Sequence, residues 1–188
     1  MVSLGSTVIW PFIVFAVFWI ITWPSSKRTA KNQSNIGWFT YWIFAVIGAC
    51  LFLIPINVPA LNITLIQSSF ASHALGFLIE ILGLCVAIWA RITLGRNWSS
   101  RVTLKEKHEL ITKGPYKLVR HPIYTGMLTM FLGAAIYLGM LAAFFGLLFF
   151  FLSFWIKLKQ EEKLMLKHFT KEYVKYKKKT KALIPFIY

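Results

Sequence analysis

The residues best suited to chemistry in this chain lie between Lys113 and Gly126, Lys-Gly-Pro-Tyr-Lys-Leu-Val-Arg-His-Pro-Ile-Tyr-Thr-Gly. They include one histidine, His121, the guanidinium of Arg120, and the phenols of Tyr116 and Tyr124. Pro115 and Pro122 fix φ and remove amide donors, while Gly114 and Gly126 permit backbone shapes that other residues resist. Set between hydrophobic blocks, such a segment reads as backbone shaped around a ligand at a membrane boundary. A second polar island, Glu161-Glu162, lies just beyond the next long apolar block. The two islands offer cations for an anionic group, carboxylates for a cation or hydroxyl, and aromatic faces for a ring.

The elements that must position these islands are membrane helices. At 188 residues, 57% hydrophobic and 17% aromatic, with a mean hydropathy of +0.63, the chain fits one domain too apolar for an ordinary soluble fold. Its net charge of +15 is not a nucleic-acid signature, because the cations are segregated. Three Lys and Arg lie in 27–31, eight in 91–120 and ten in 157–188, with none between. That is the positive-inside pattern, and it excludes a nucleic-acid partner. Cys50 and Cys85 fall within hydrophobic blocks and read as small residues in helix packing, with neither a disulfide framework nor a metal-ligand spacing. No metal is expected.

Five spans are expected, at about 4–23, 38–56, 74–94, 123–138 and 140–156. The first lacks a basic leader and is followed by Lys27, Arg28 and Lys31, which puts the N-terminus outside. Ile123 to Ile156 is 34 residues without a charge; one helix would be about 51 Å long, so the stretch reads as a hairpin turning near Gly139. Glu80, seven residues into the third span, is placed to reach the outer interface, and Arg91 to snorkel at the inner one. Beyond Lys157, Glu161, Met165, Phe169, Tyr173 and Tyr176 share one face of a helix over about 159–179. Its lysines suit anionic headgroups on the cytoplasmic surface. The fold expected is an all-α integral membrane protein, with C-terminus and both polar islands cytoplasmic and the oligomeric state left open.

Arg-His-Pro-x-Tyr, a hydrophobic hairpin and a Glu-Glu pair resemble the isoprenylcysteine carboxyl methyltransferase and phospholipid methyltransferase superfamily, over roughly Leu94 to Tyr188. The resemblance implies S-adenosylmethionine as methyl donor, S-adenosylhomocysteine as product and a lipophilic or lipidated acceptor entering from the bilayer. It also implies a cytoplasmic cofactor pocket built from the loop after the third span and the C-terminal tail. Its cofactor-binding positions fall on His108, Glu109, Leu110, Ile111, Tyr116, His121, Pro122, Ile123, Tyr124 and Glu161. Lys157 stands where the prenylcysteine enzymes carry a substrate-contacting arginine, which keeps the charge without the planar fork. Lys157 and Arg120 are therefore the candidates for direct chemistry on the acceptor. Thr103 falls where the family has a cofactor-contacting glutamine, and Asn97 and Trp98 either shape the substrate mouth or cap a helix.

Methyl transfer from a sulfonium needs approach geometry and exclusion of water but no metal. Prenylcysteine carboxylate, phospholipid amine or another lipophilic acid or thiol all remain open as acceptors. An ionised carboxylate needs no base, whereas an amine needs one, with His121 or a glutamate available. The acceptor is expected to enter between the third span and the terminal hairpin, past Ile92, Leu94 and Trp98 on one side and Phe154 and Trp155 on the other. Two rival readings are an NADPH-dependent sterol-type reductase, which needs more phosphate-binding cations, and a non-catalytic transporter or assembly protein. The last should line a path across the bilayer with polar groups, whereas here they collect on one side.

Overall fold

Proline, serine and glycine punctuate the apolar runs and set where each helix begins and ends. The computed structural model describes residues 7–25, 29–32, 35–57, 63–105 and 109–185. Its helices are α1 (Trp10–Thr22), α2 (Asn35–Asn57), α3 (Phe70–Leu94), α4 (Pro122–Leu138) and α5 (Leu141–Lys179). Ser69 and Ser72 cap α3 reciprocally, each side-chain oxygen accepting from the other's amide at 3.0–3.1 Å. Pro122 occupies the first turn of α4, where its missing N–H costs nothing. Gly139, at φ +65°, ends α4 in the left-handed conformation, so the hairpin turns where expected. The third helix starts four residues earlier than 74, and residues 4–6 of the expected first span lie outside the described residues.

Helix faces meet through glycine. A Cβ on Gly83 would come within 2.6 Å of the Gly126 carbonyl, and one on Gly76 within 2.7 Å of the Gly133 carbonyl. α3 and α4 therefore lie backbone against backbone, in a small-residue contact. Gly48 of α2 and Gly146 of α5 form a second such contact, and Ser153 Oγ donates to the Tyr41 carbonyl at 2.7 Å. Two helical segments, Phe70–Asn97 and Leu141–Lys179, are long and apolar enough to cross a bilayer. α1 and α4 are shorter apolar helices. Large apolar side chains such as Ile20, Ile21 and Phe70 face outward, as lipid-facing residues do.

The three basic segments converge at one end. β1 (Thr29–Asn32) pairs antiparallel with β2 (Thr103–Lys105), a small ribbon that an all-helical expectation did not include. Val119 bridges Lys181, and the Arg120 and His121 amides donate to the carbonyls of Lys181 and Ala182. At the other end the uncharged 63–66 loop is tied to the hairpin turn, where Leu65 and Ile66 donate to the Gly139 carbonyl.

Several sequence expectations are corrected. No separate helix starts near 159: α5 runs on without interruption, and its break comes at Thr170, with φ 26° and ψ −93°. Past that break the chain doubles back, because Lys177 Nζ reaches Glu162 Oε2 at 2.7 Å. In a straight helix those residues would be about 22 Å apart. The periodicity was unbroken through Thr170, so pattern alone could not reveal the reversal. Glu80 does not reach an interface; it is fully buried between Gly76 and Gly83 on the face packed against α4. Arg91 does not snorkel. It is buried, donates to the Thr22 and Gly95 carbonyls at 2.7 and 2.8 Å, and lies 4.6 Å from the Trp98 ring centroid. Those carbonyls end α1 and α3, where a cation is favoured. Cys50 and Cys85 are exposed and not packed between helices. Each lies two residues past an interface glycine, about 200° round its helix.

Candidate functional site

The polar stretch is laid out by short punctuated turns. Gly114–Lys117 forms a single 3₁₀ turn with Pro115 in its first positions, and His121 stands at the N-cap of α4. The returning hairpin carries Glu161 and Glu162 back beside that N-cap across a gap of some forty residues in sequence. His121 Nδ1 lies 3.4 Å from Glu161 Oε2, and Tyr124 donates its hydroxyl to Glu161 Oε1 at 2.6 Å. Glu162 accepts from Arg120 Nε and Lys177 Nζ, both at 2.7 Å. His121 Nε2 is 3.6 Å from Glu162 Oε1, an ion-pair contact too long for a hydrogen bond. Arg120 Nη1 also bonds the Thr180 carbonyl. That guanidinium is therefore occupied in holding the tail.

These contacts shift the proton affinities of the cluster. Burial alone would push the His121 imidazole down, but the Glu161 and Glu162 carboxylates outweigh it and hold it above its ordinary value. Burial would lift Glu161, yet His121, Lys157 and Tyr124 keep its carboxyl below the usual range. Glu162 is likewise penalised by burial and brought well below that range by His121, Lys177 and Arg120. Burial lowers the Lys157 ammonium, against the pull of Glu161 one turn on. Lys157 Nζ donates to the Ser100 carbonyl at 2.9 Å and lies 5.4 Å from the ring centroids of Tyr41 and Tyr124.

Beside this cluster is a cavity of about 590 Å³. Glu109, Leu110, Ile111, Tyr116, Arg120, His121, Ile123, Tyr124, Lys157 and Glu161 all line it. Of the other sequence candidates, Pro122 is buried behind that wall, where it starts α4, and His108 lies outside the described residues. Tyr173 and Tyr176 of the reversed tail close one side, and the Tyr176 hydroxyl donates to the Tyr116 carbonyl at 2.7 Å. Burial raises Tyr176 to about 12, so its phenol stays protonated. Thr103 and Asn97 line the cavity, and so do Phe15, Trp19 and Trp23 of the first helical segment and Trp42, Ala45 and Ala49 of α2. The expected doorway is corrected here. Leu94, Trp98 and Phe154 line the cavity, but Ile92 and Trp155 do not, because its apolar end runs along α1 and α2.

Among the cavity residues that the sequence does not mark as site residues is Tyr41 on α2. It stands in the aromatic run Trp38-Phe39-Thr40-Tyr41-Trp42, where nothing distinguishes a site residue from membrane-facing bulk. Three buried polar atoms on this wall have no hydrogen-bond partner among the described residues: Tyr41 Oη, Asn97 Oδ1 and His121 Nε2. Buried polar groups are normally satisfied, so such a wall asks for a polar ligand. The donor set fits S-adenosylmethionine. Glu161 suits an ammonium, the aromatic and aliphatic side of Tyr116, Leu110 and Ile111 suits a base, and the apolar end remains for an acceptor tail.

The sequence model of the phospholipid methyltransferase family matches residues 71–172. A probable protein-S-isoprenylcysteine O-methyltransferase from Oryza sativa is 31% identical over 121 residues, 63% of this chain and 63% of that protein. The Schizosaccharomyces pombe protein-S-isoprenylcysteine O-methyltransferase is 34% identical over 164 residues, 78% of this chain and 67% of its own length. The Saccharomyces cerevisiae enzyme is 36% identical over 116 residues, 60% of this chain and 48% of its own. The match thus spans about three-fifths of the rice relative. A solved eukaryotic intramembrane Ras methyltransferase, an isoprenylcysteine carboxyl methyltransferase, superposes with a TM-score of 0.72 at 25% identity, covering 99% of this chain and 67% of that one. With apolar helices facing outward and that membrane fold beneath them, this is an integral membrane protein. Matched across more than half of its length, the chain belongs to the phospholipid methyltransferase family.

Proposed function

We propose that the chain is a membrane methyltransferase that uses S-adenosylmethionine to esterify a lipophilic carboxylate, the chemistry named for its relatives. The observation that carries this reading is Lys157, a cation that lines the cavity one turn before Glu161 and suits an anionic acceptor. The Glu161 carboxylate beside it is already engaged, by His121 at 3.4 Å and by the Tyr124 hydroxyl at 2.6 Å. A carboxylate arrives ionised and releases no proton on methylation. Geometry and charge are then all the site must supply.

When bound, S-adenosylmethionine supplies an electrophilic methyl group. Glu161 would hold its ammonium, while Tyr116, Leu110, Ile111 and the Glu109 segment would cradle the nucleoside. Ile123 and Tyr124 wall the pocket, and Tyr173 and Tyr176 exclude water from its cytoplasmic side. Lys157 would pair with the acceptor anion, and Arg120 would act by fastening the tail that closes the pocket. The apolar walls from α1 and α2 would take the acceptor's tail from the inner leaflet. Five spans with an outside N-terminus suit this arrangement. The ribbon and the Val119–Lys181 bridge gather all three basic segments at one end, which on this topology is cytoplasmic.

Calorimetry on the purified protein tests the cofactor. S-adenosylmethionine or S-adenosylhomocysteine should bind one per chain without added metal. Binding of NADPH with neither sulfur compound would overturn the reading in favour of reductase chemistry.

A further inference from the structure

An ammonium is a single point charge, whereas a carboxylate presents two oxygens. Lys157 spends one of its three N–H groups on the Ser100 carbonyl, so it cannot by itself fix the orientation of a carboxylate. A second donor stands across the same cavity. Tyr41 is 4% exposed, lines the cavity, and its hydroxyl has no partner among the described residues. Its ring centroid is 5.4 Å from Lys157 Nζ. The position is held from behind, where Ser153 of α5 donates to the Tyr41 carbonyl at 2.7 Å. Seven residues further along α2, Gly48 meets Gly146 of the same helix α5. Two fixed points on one face therefore set the reach of this phenol, while a hydroxyl merely filling apolar space would be a standing cost to the fold.

We propose that the Tyr41 hydroxyl and the Lys157 ammonium form a two-point seat for the acceptor's carboxylate, Tyr41 donating to one oxygen and Lys157 pairing with the other. The proposal rests on the reading of the acceptor as an anion and assigns α2 a direct part in selecting it. The seat prefers a carboxylate over an uncharged group of the same shape, because a hydrogen bond to a charged acceptor is the stronger one. It leaves the cofactor side of the cavity, built around Glu161 and Tyr116, untouched.

The test uses the full chain in lipid nanodiscs, with N-acetyl-S-farnesylcysteine and its primary carboxamide as probes, each measured with and without S-adenosylhomocysteine. Wild type should bind the carboxylate more tightly than the carboxamide. Tyr41→Phe should weaken the carboxylate roughly 10- to 100-fold and the carboxamide only a few-fold. Its affinity for S-adenosylhomocysteine should match wild type, and its unfolding midpoint without ligand should be no lower than wild type, since the empty fold holds that hydroxyl without a partner among the described residues. Equal carboxylate affinity in the two proteins, equal losses for both probes, or no carboxylate preference in wild type would each overturn the seat. Labelled methyl transfer by wild type is scored separately. Preference without any transfer would contradict the methyltransferase reading and leave the seat standing.

Discussion

Glu161→Gln is expected to weaken S-adenosylmethionine binding roughly 10- to 150-fold, the equivalent of one charge-assisted hydrogen bond of about 1.5–3 kcal/mol. The substitution keeps an acceptor for the Tyr124 hydroxyl, which now bonds Glu161 Oε1 at 2.6 Å, and removes only the charge. His121 and Lys157 then face the cavity with one carboxylate fewer, so a cationic ligand group meets net positive charge. Calorimetry gives the affinity, and thermal unfolding without ligand separates a binding defect from a folding one. Tyr124→Phe should cost much less, because it leaves the carboxylate in place. Unchanged affinity in Glu161→Gln would remove this residue from the cofactor site.

The second large effect concerns the clasp that holds the tail over the pocket. Arg120 and Glu162 side chains are 8% and 4% exposed and bonded at 2.7 Å. Arg120→Ala strands a buried carboxylate and should destabilise the protein by about 3–5 kcal/mol, towards the lower end because Lys177 still reaches it. Replacing both, Arg120→Met with Glu162→Leu, should cost less than the single change, since no buried carboxylate is stranded and Lys177, which loses Glu162, is 42% exposed to solvent. Denaturation in nanodiscs measures both; a double variant as unstable as Arg120→Ala would contradict the ion-pair account.

The same clasp should give a pH profile with two limbs. Glu162 is depressed in the folded state, so its contribution is complete above the unfolded value of about 4.3 and is lost as pH falls through the folded one. His121 is raised, so its contribution is complete below about 6.5 and fades as pH rises through its folded value. Stability from this cluster is therefore greatest between those two unfolded values. Glu162→Gln should flatten the acid limb and His121→Asn the alkaline one.

Much of this site could be read from the sequence because its parts are compositionally loud. A glycine-proline stretch with a histidine and a glutamate pair after an apolar hairpin stand out against hydrophobic surroundings, and charge segregation placed them on one side. The union of His121 with Glu161 and Glu162 followed from the turn at Gly139. What stayed hidden depends on tertiary geometry. The reversal at Thr170 interrupts no pattern, because the residues on both sides favour helix and share one apolar face. Glu80 looked shallow by counting residues from the helix start, yet Gly133 leaves room for it inside the interface. Tyr41 was masked by aromatic neighbours, and only the fold distinguishes the one that is buried.

The most direct measurement of the central claim is transfer of labelled methyl from S-adenosylmethionine to a lipophilic carboxylate by the purified protein in nanodiscs. The expected product is a lipid-phase methyl ester that releases its label as methanol on mild alkali, formed by wild type and greatly reduced in Glu161→Gln at subsaturating cofactor. No lipid-phase label from folded wild type, or label that alkali does not release, would contradict the account.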